Sequence, residues 1–444
     1  MTPATDMAID SAVTDLVLGL GVTGRSLASY LAQDGCQLRL ADERRDLDVD
    51  TALVAEHEVR LGPFDEALLD GIRTVYVSPG VRPDEPILVD AEQRGIAIRS
   101  DIDLFVRANQ RPLLAVTGTN GKSTVVSMTA ELLMAGGVGA VAGGNLGTPV
   151  LELLAHHADV IVLELSSFQL ARTEHLPATA AVVLNISDDH LDWHGTASAY
   201  RAAKRRVLSG AGRIVVNREQ PEVLPDVESI SFGLDAPSAG HYGVSCDDSG
   251  ERWLARGADC WLPISALNSQ RDHDVLNALA ALALIDSFEV QREPMLAALA
   301  AFRPLAHRAE TVAVQDDVRF VDDSKATNVG AALASLRSQT SPCVWIVGGD
   351  AKGADLSPLV SAARQHVRVA IVIGQASTQL TALLSPVTQV IQAESMIGAV
   401  ARAKTEAQAG DTVLLAPACA SQDMFVDYRD RGRQFAAAVQ GAAE

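Results

Sequence analysis

The run Thr117-Gly118-Thr119-Asn120-Gly121-Lys122-Ser123-Thr124 has the residue types for phosphate chemistry. Successive N–H groups in a glycine-rich turn form a nest for anions, a lysine at this spacing reaches terminal phosphates, and the Ser123 hydroxyl can ligate Mg²⁺. It is not a strict Walker A motif, which would place glycine where Val116 stands, but the apolar run before it reads as the strand such a turn needs. ATP phosphates held this way call for a metal shell. Glu164 ends a strand in LELSSFQ, and His190 follows the next one in NISDDHLD. Ligands of open α/β sheets gather at strand ends, so a carboxylate, an imidazole and a hydroxyl can hold one or two Mg²⁺ ions there. His190 alone, flanked by Asp188, Asp189 and Asp192, reads equally well as a solvated loop histidine; Glu164 and Lys122 are what give it a role.

A second glycine turn, Gly19-x-Gly21-x-x-Gly24, is followed eighteen residues later by Asp42. Its N–H groups and helix start suit a diphosphate, and the acid suits sugar hydroxyls. NAD, a nucleotide-sugar diphosphate and no ligand at all fit this motif. A nicotinamide dehydrogenase would leave 117–124 without a job, and a P-loop switch would leave the rest of the chain without one.

These residues need strands and helices to place them. LVLGLG (16–21), QLRLAD (37–42) and RTVYVSPG (73–80) read as strands, with a helix over 23–35, so a mostly parallel, Rossmann-like sheet is expected in residues 1–108. Residues 109–304 open a second α/β block, P-loop-like, with strands at 113–117, 159–166 and 178–186 and helices over 273–287 and 293–302. Between them SISFGL, HYGVSC, RWLAR and DCWLPI read as a small antiparallel sheet. The segment 303–308 reads as a hinge, and residues 305–444 carry four more strands, VRFVDDS, PCVWIVGGD, VRVAIVIG and DTVLLAPA, for a third, Rossmann-like domain.

Composition narrows the partners. The 444 residues carry a net charge of −20, which repels nucleic acid and anionic lipid. Hydrophobic residues make up 48% and aromatics 4%, so Ala, Leu and Val must fill the cores. The five cysteines are scattered without a CxxC pair, which argues against a disulfide framework or zinc site. No basic, apolar leader opens the chain and no run approaches a membrane span, so a cytoplasmic protein is expected. No heptad or short repeat points to an assembly, and a monomer is expected.

TGTNGKST, LELSSFQL and NISDDHLD together closely resemble the Mur ligases, over essentially all of the chain. DDSKATN (322–328), GGDAKGAD (348–355) and PACAS (417–421) narrow the resemblance to the branch that adds D-glutamate to UDP-N-acetylmuramoyl-L-alanine, using ATP and Mg²⁺ through an acyl phosphate. L-glutamate or another acidic amino acid is the alternative, since one sequence does not show stereochemistry. The resemblance implies that Gly21, Val22 and Thr23 meet a UDP diphosphate, Asp42 the uridine side, Ser78 and Gly80 the nucleotide, and Asn145 and Gln169 the muramoyl-alanine end. It gives ATP to Gly118, Thr119, Asn120, Gly121, Lys122, Ser123 and Thr124, with Asn277, Arg308 and Asp323, and places Lys325 at the reacting phosphate. The incoming amino acid falls to Thr327, Lys352, Ser421 and Tyr428. Ser123, Glu164 and His190 become metal ligands, and Lys204 matches a lysine that is carbamylated; on sequence alone, Lys204 is a solvated lysine beside Arg201, Arg205 and Arg206. Catalysis is thus expected from Lys122, His190, Lys204 and Lys325. The chain departs from the family's usual pattern at Asp274 (usually Asn), Ala416 (Ser), Gln422 (Leu) and Tyr428 (Phe).

Overall fold

The computed structural model describes residues 15–441 apart from 34, 146, 174, 221–227 and 304. The chain start and Pro304, within the expected hinge, lie outside the described residues. Three sheets follow one another along the chain. The first has five parallel strands in the order 3-2-1-4-5, with Asp15–Leu18 at its centre between Leu38–Asp42 and Thr74–Val77. Its central strand is fully apolar after Asp15 and buried on both faces, as a parallel strand covered by helices must be. The helix Val22–Ala32 leaves it through the glycine turn, and a Cβ on Gly24 would sit 1.7 Å from the Gly19 carbonyl oxygen. The third glycine therefore lets helix and strand touch.

The second sheet has nine strands, and the inner strand Leu113–Thr117 lies between Val160–Glu164 and Ala180–Val183. Register decides where the chemistry goes. Val116 stands opposite Glu164, and Thr117 opposite Val183. The turn at 118–121, the Glu164 carboxylate and the segment leading to His190 therefore leave the sheet at one edge. The strands expected as a small antiparallel sheet in this block continue the same sheet, and not all of them are antiparallel. Ile230–Phe232 runs parallel to Ile214–Asn217, and the antiparallel pairings begin only beyond Tyr242–Cys246. Alternating patterning marks a half-buried strand but carries no information on its direction.

Behind the turn, Lys122–Ala135 packs on Asp272–Ile285, an Ala/Leu helix with ten buried residues. Small side chains let these two helices approach closely and compensate for the scarcity of aromatics. The third sheet has six strands, with Thr412–Leu415 between Val318–Asp322 and Cys343–Gly348. Besides the four expected strands it holds Glu310–Gln315, antiparallel at one edge, and Gln389–Gln392 at the other. Both edges are largely solvated and lack the apolar runs that reveal the inner strands.

Candidate active site

The 117–124 turn works as its sequence requires. Gly118 has φ +157 and Gly121 φ +85, and a Cβ on Gly121 would lie 2.6 Å from the Asn277 Oδ1. The turn is further fixed by Asn185, whose Oδ1 accepts from the Asn120 N–H (2.9 Å) and whose Nδ2 donates to the Asn120 carbonyl (3.0 Å). Ser123 and Thr124 are buried at the start of the helix. Lys122 Nζ folds back and donates to the carbonyls of Gly118 and Thr119, both at 2.9 Å. Lys204, from the helix Ala197–Arg205, donates to the same Gly118 carbonyl at 2.7 Å. Two lysines thus converge on one oxygen.

Their surroundings set their protonation. Lys204 is 2% exposed, and burial, with the Lys122 charge acting the same way, holds its amine well below the usual lysine range. The solvated lysine that sequence alone favours is therefore not what the fold builds: Lys204 lies inside, 4.7 Å from the centre of the Tyr200 ring, and Tyr200 in turn shares a 2.9 Å hydrogen bond with the Thr119 hydroxyl. Burial also lowers Lys122 from the usual value, against the pull of Glu164 and Asp189.

Glu164 is 2% exposed at its strand end. Its Oε1 accepts from Asn145 Nδ2 at 2.7 Å, while its Oε2 is buried without a hydrogen-bond partner. A buried carboxylate oxygen with nothing to bind is costly unless a cation completes it. His190 sits in the left-handed region (φ 54), with its ring edge-on to Phe168 at 4.7 Å. Burial lowers its pKa, and although Asp189 pulls upward, the charges of Lys352, Lys122 and Lys204 lower it further. The imidazole is therefore held in the neutral form that a metal requires. Among the described residues, no three His, Cys, Asp or Glu side chains are grouped as a ready-made metal cage.

A cavity opens from this turn toward the third sheet. It is lined by Asn277, Arg308, Asp323 and Lys325 beside Asn120 and Gly121. Burial pushes the Asp323 carboxyl up to about 6 and brings Lys325 down to about 8. The Lys325 ammonium stands 4.0 Å from the centre of the Tyr428 ring, so this aromatic position meets a cation as well as the amino-acid side. Asp274 lines the cavity too, but its Oδ2 accepts from Arg271 Nε at 2.8 Å and pairs with Arg271 Nη2 at 2.7 Å. It also lies in the first helical turn, where the helix dipole favours an acid. Its charge is offset twice before it reaches a nucleotide.

Of the residues expected at the incoming amino acid, Thr327 stands two residues after Lys325 and donates its N–H to the Lys325 carbonyl at 2.8 Å, and Lys352 faces His190 closely enough to affect its protonation. Lys352 has φ 47 and donates its N–H to Asp350 Oδ1 at 2.9 Å. Asp350 and Ala420 form a two-way bridge that joins GGDAKGAD to PACAS, next to the buried Ser421. The structure explains nothing about Ala416 or Gln422.

The first domain's residues form a cluster of their own. The Gly19 N–H donates to Ala41 O and the Ser78 N–H to Leu18 O, so the glycine turn, Asp42 and Ser78 adjoin at the ends of their strands. Val22 is 71% exposed at the turn. Asp42 is already engaged: Oδ2 accepts from the Leu20 N–H at 2.7 Å, and Arg44 holds both oxygens at 2.8 Å. Burial would raise its pKa, but the hydrogen bonds from Arg44 and Leu20 outweigh it and bring it to about 2.

Two contacts tie this domain to the second: Arg82 Nη1 donates to Asp192 O at 2.8 Å, and Arg172 Nη2 to Val81 O at 2.6 Å. A third is Gln169, whose Oε1 accepts the Ser166 N–H as the far half of a capping box while its Nε2 donates to the buried Asp101 at 3.1 Å. Sequence reading did not single out Asp101, Asn185, Tyr200 or Asn328; Asn185 and Asn328 stand inside quoted motifs, and the other two carried no local signal.

Comparison with known proteins places the chain. Profiles of the Mur ligase MurD-like N-terminal domain, the Mur ligase middle domain and the Mur ligase glutamate ligase domain match residues 13–100, 116–285 and 307–419. A UDP-N-acetylmuramoylalanine–D-glutamate ligase from Acinetobacter baylyi is 39% identical over 98% of this chain and 99% of its own. The enzyme of the same name from Hahella chejuensis is 44% identical over 94% of this chain and 96% of its own. The chain belongs to the Mur ligase family. The Mur ligase fold is also seen in a solved UDP-N-acetylmuramate–alanine ligase from Thermotoga maritima, which superposes with a TM-score of 0.61 at 19% identity, covering 97% of this chain and all of that one.

Proposed function

We propose that this Mur ligase joins D-glutamate to the L-alanine carboxylate of UDP-N-acetylmuramoyl-L-alanine at the expense of ATP, as a cytoplasmic monomer supplying peptidoglycan precursors. The observation that carries this reading is the convergence of Lys122, Lys204 and the half-satisfied Glu164 on one phosphate-binding turn, in a chain whose near full-length relatives are named for that reaction. Those names also favour D-glutamate over L-glutamate or another acidic amino acid. Among the described residues no helix is long and apolar enough to cross a membrane.

In this reading Gly21, Val22 and Thr23 present backbone to the UDP diphosphate, Asp42 and its Arg44 partner face the uridine, Ser78 and Gly80 line the nucleotide, and Asn145 and Gln169 approach the muramoyl-alanine end. The 118–124 turn cradles the ATP phosphates, and Asn277, Arg308 and Asp323 line the remaining nucleotide cavity. Lys122 turns from its two carbonyls to the transferring phosphoryl group, whose charge Lys325 also faces. The L-alanine carboxylate takes the γ-phosphoryl group to form an acyl phosphate. The glutamate amine attacks that carbonyl carbon, loses a proton, and phosphate leaves. Lys352, Thr327 and Ser421 suit an acidic amino acid, because an ammonium and hydroxyls make charge-assisted hydrogen bonds to carboxylates.

The residues present fit Mg²⁺. This ion is usually held by one or two carboxylates with phosphates and water rather than by an all-protein cage, and the free Glu164 oxygen meets that preference, with neutral His190 and Ser123 as further ligands. Bound there, Mg²⁺ would neutralise charge on the phosphates, and Lys204, whose charged form burial disfavours, would offer the free amine from which a carbamate ligand could form. The test is isotopic. With ¹⁸O in the L-alanine carboxylate, one label is expected in the released phosphate; label retained wholly in the amide and residual substrate would exclude the acyl phosphate.

A further inference from the structure

One contact between the second and third domains involves a residue with no assigned part in the reaction. Asn328 ends DDSKATN, directly after Thr327, and is 6% exposed. Its Nδ2 donates to Asn120 Oδ1 at 3.1 Å and to Asp189 Oδ2 at 3.2 Å. Its Oδ1 accepts from Asn120 Nδ2 at 3.3 Å and from the Ala331 N–H at 2.9 Å, capping the helix Val329–Arg337. The two asparagines thus form a reciprocal amide pair across the domain boundary. The orientation of Asn328 follows from its neighbours. A flipped amide would turn its NH₂ onto the Ala331 N–H and its oxygen onto the Asp189 carboxylate, losing both bonds. Asn120 is equally fixed, because Asn185 holds its backbone on both sides.

We infer that Asn328 is a positioning residue: its amide latches the third domain onto the phosphate turn and so assembles the amino-acid subsite beside it. The latch joins Asn120 in the nucleotide turn, Asp189 beside His190, and the segment bearing Lys325 and Thr327. A side chain that ties these three can set the amino-acid pocket only while the domains are together. Asp189 contributes as a fixed acceptor, and the cap keeps Asn328 from swinging away. The inference rests on the ligase reading of the site.

The test uses the full chain and Asn328→Asp. An aspartate retains the helix cap, and Asp is as good a cap as Asn, but it cannot donate to Asn120 Oδ1 and it sets a carboxylate against Asp189. Losing hydrogen bonds that include a charged partner is expected to raise KM for D-glutamate on the order of 10- to 100-fold. Affinity for ATP measured without the amino acid should stay within about twofold, because Asn185 still holds the turn. Asp189→Asn in the Asn328→Asp background returns a donor facing an acceptor and should recover most of the KM, a rescue that a merely structural defect would not show. Small-angle scattering with a nonhydrolysable ATP analogue reads the latch without turnover: the radius of gyration should be larger for Asn328→Asp than for the parent. An unchanged KM and radius, equal loss of ATP and D-glutamate affinity, or no recovery in the double variant would each overturn the latch. Absence of product from the parent protein would instead defeat the ligase reading, leaving the scattering comparison to decide the latch.

Discussion

The molecule contains two glycine turns of the same design and gives them different company. Each follows an inner parallel strand, opens a helix and offers backbone N–H groups at the end of that strand. At Gly19–Gly24, Asp42 and Arg44 are already paired with each other, and the Arg25 guanidinium is spread over the Leu20 and Asp48 carbonyls. At Gly118–Gly121 two lysines meet on one carbonyl oxygen beside a carboxylate with an unfilled position. A nest alone recognises a diphosphate. Transferring a phosphoryl group requires charge that can be redirected as the reaction proceeds, and the second turn gathers it in two lysines and a half-satisfied carboxylate. In the proposed reaction the fold thus separates holding from reacting, on adjacent domains.

The most severe way to break this contrast is to discharge the second turn. Lys122→Ala is expected to lower phosphate release by about 10³-fold or more, on the scale of lost phosphate-stabilising groups, while leaving binding of the UDP substrate intact in a calorimetric titration. Discharging the first turn should act differently. Asp42→Asn gives up the charged half of its pairing with Arg44, so KM for the UDP substrate should rise about 10-fold, with KM for ATP unchanged in the same steady-state assay.

The seam between the turns titrates. Asp101 is 2% exposed, one of its oxygens lacks a partner, and burial raises its pKa from 3.8 to about 6. An aspartate raised in the folded state adds stability fully below pH 3.8 and loses it as pH climbs through about 6, where the buried group must ionise. Asp101→Asn, which still offers Gln169 an acceptor, should therefore stabilise the protein by about 1–3 kcal/mol at pH 8. The gain should fade in thermal melts at pH 4. The smallest effect is expected at Asp274. Because Arg271 and the helix start already offset its charge, Asp274→Asn should change KM for ATP by no more than about twofold.

Much of this was legible because the reacting groups lie in short contiguous stretches, where strand, turn and helix follow within a dozen residues. The inner strands announced themselves by unbroken apolar runs. Edge strands such as Glu310–Gln315 and Gln389–Gln392 bury too little to leave a pattern. The direction of Ile230–Phe232 was invisible for another reason: pairing partners, not side chains, decide it. Lys204 shows the limit most clearly. Its neighbours in sequence are arginines on a solvated face, yet helical periodicity turns this one lysine inward to Gly118. Ser166 and Gln169 carry the spacing of a capping box, and the structure commits both to one. Asn328 reaches Asn120 from 208 residues away, and nothing local could announce that meeting.

In the proposed function these two turns serve one amide-forming reaction with D-glutamate. The direct measurement incubates purified protein with ATP, Mg²⁺ and UDP-N-acetylmuramoyl-L-alanine, with D-glutamate in one reaction and L-glutamate in the other, and reads released phosphate and product mass together. Stoichiometric phosphate and a glutamyl amide are expected with D-glutamate alone. Product with L-glutamate alone, or phosphate released without any amide, would contradict that function.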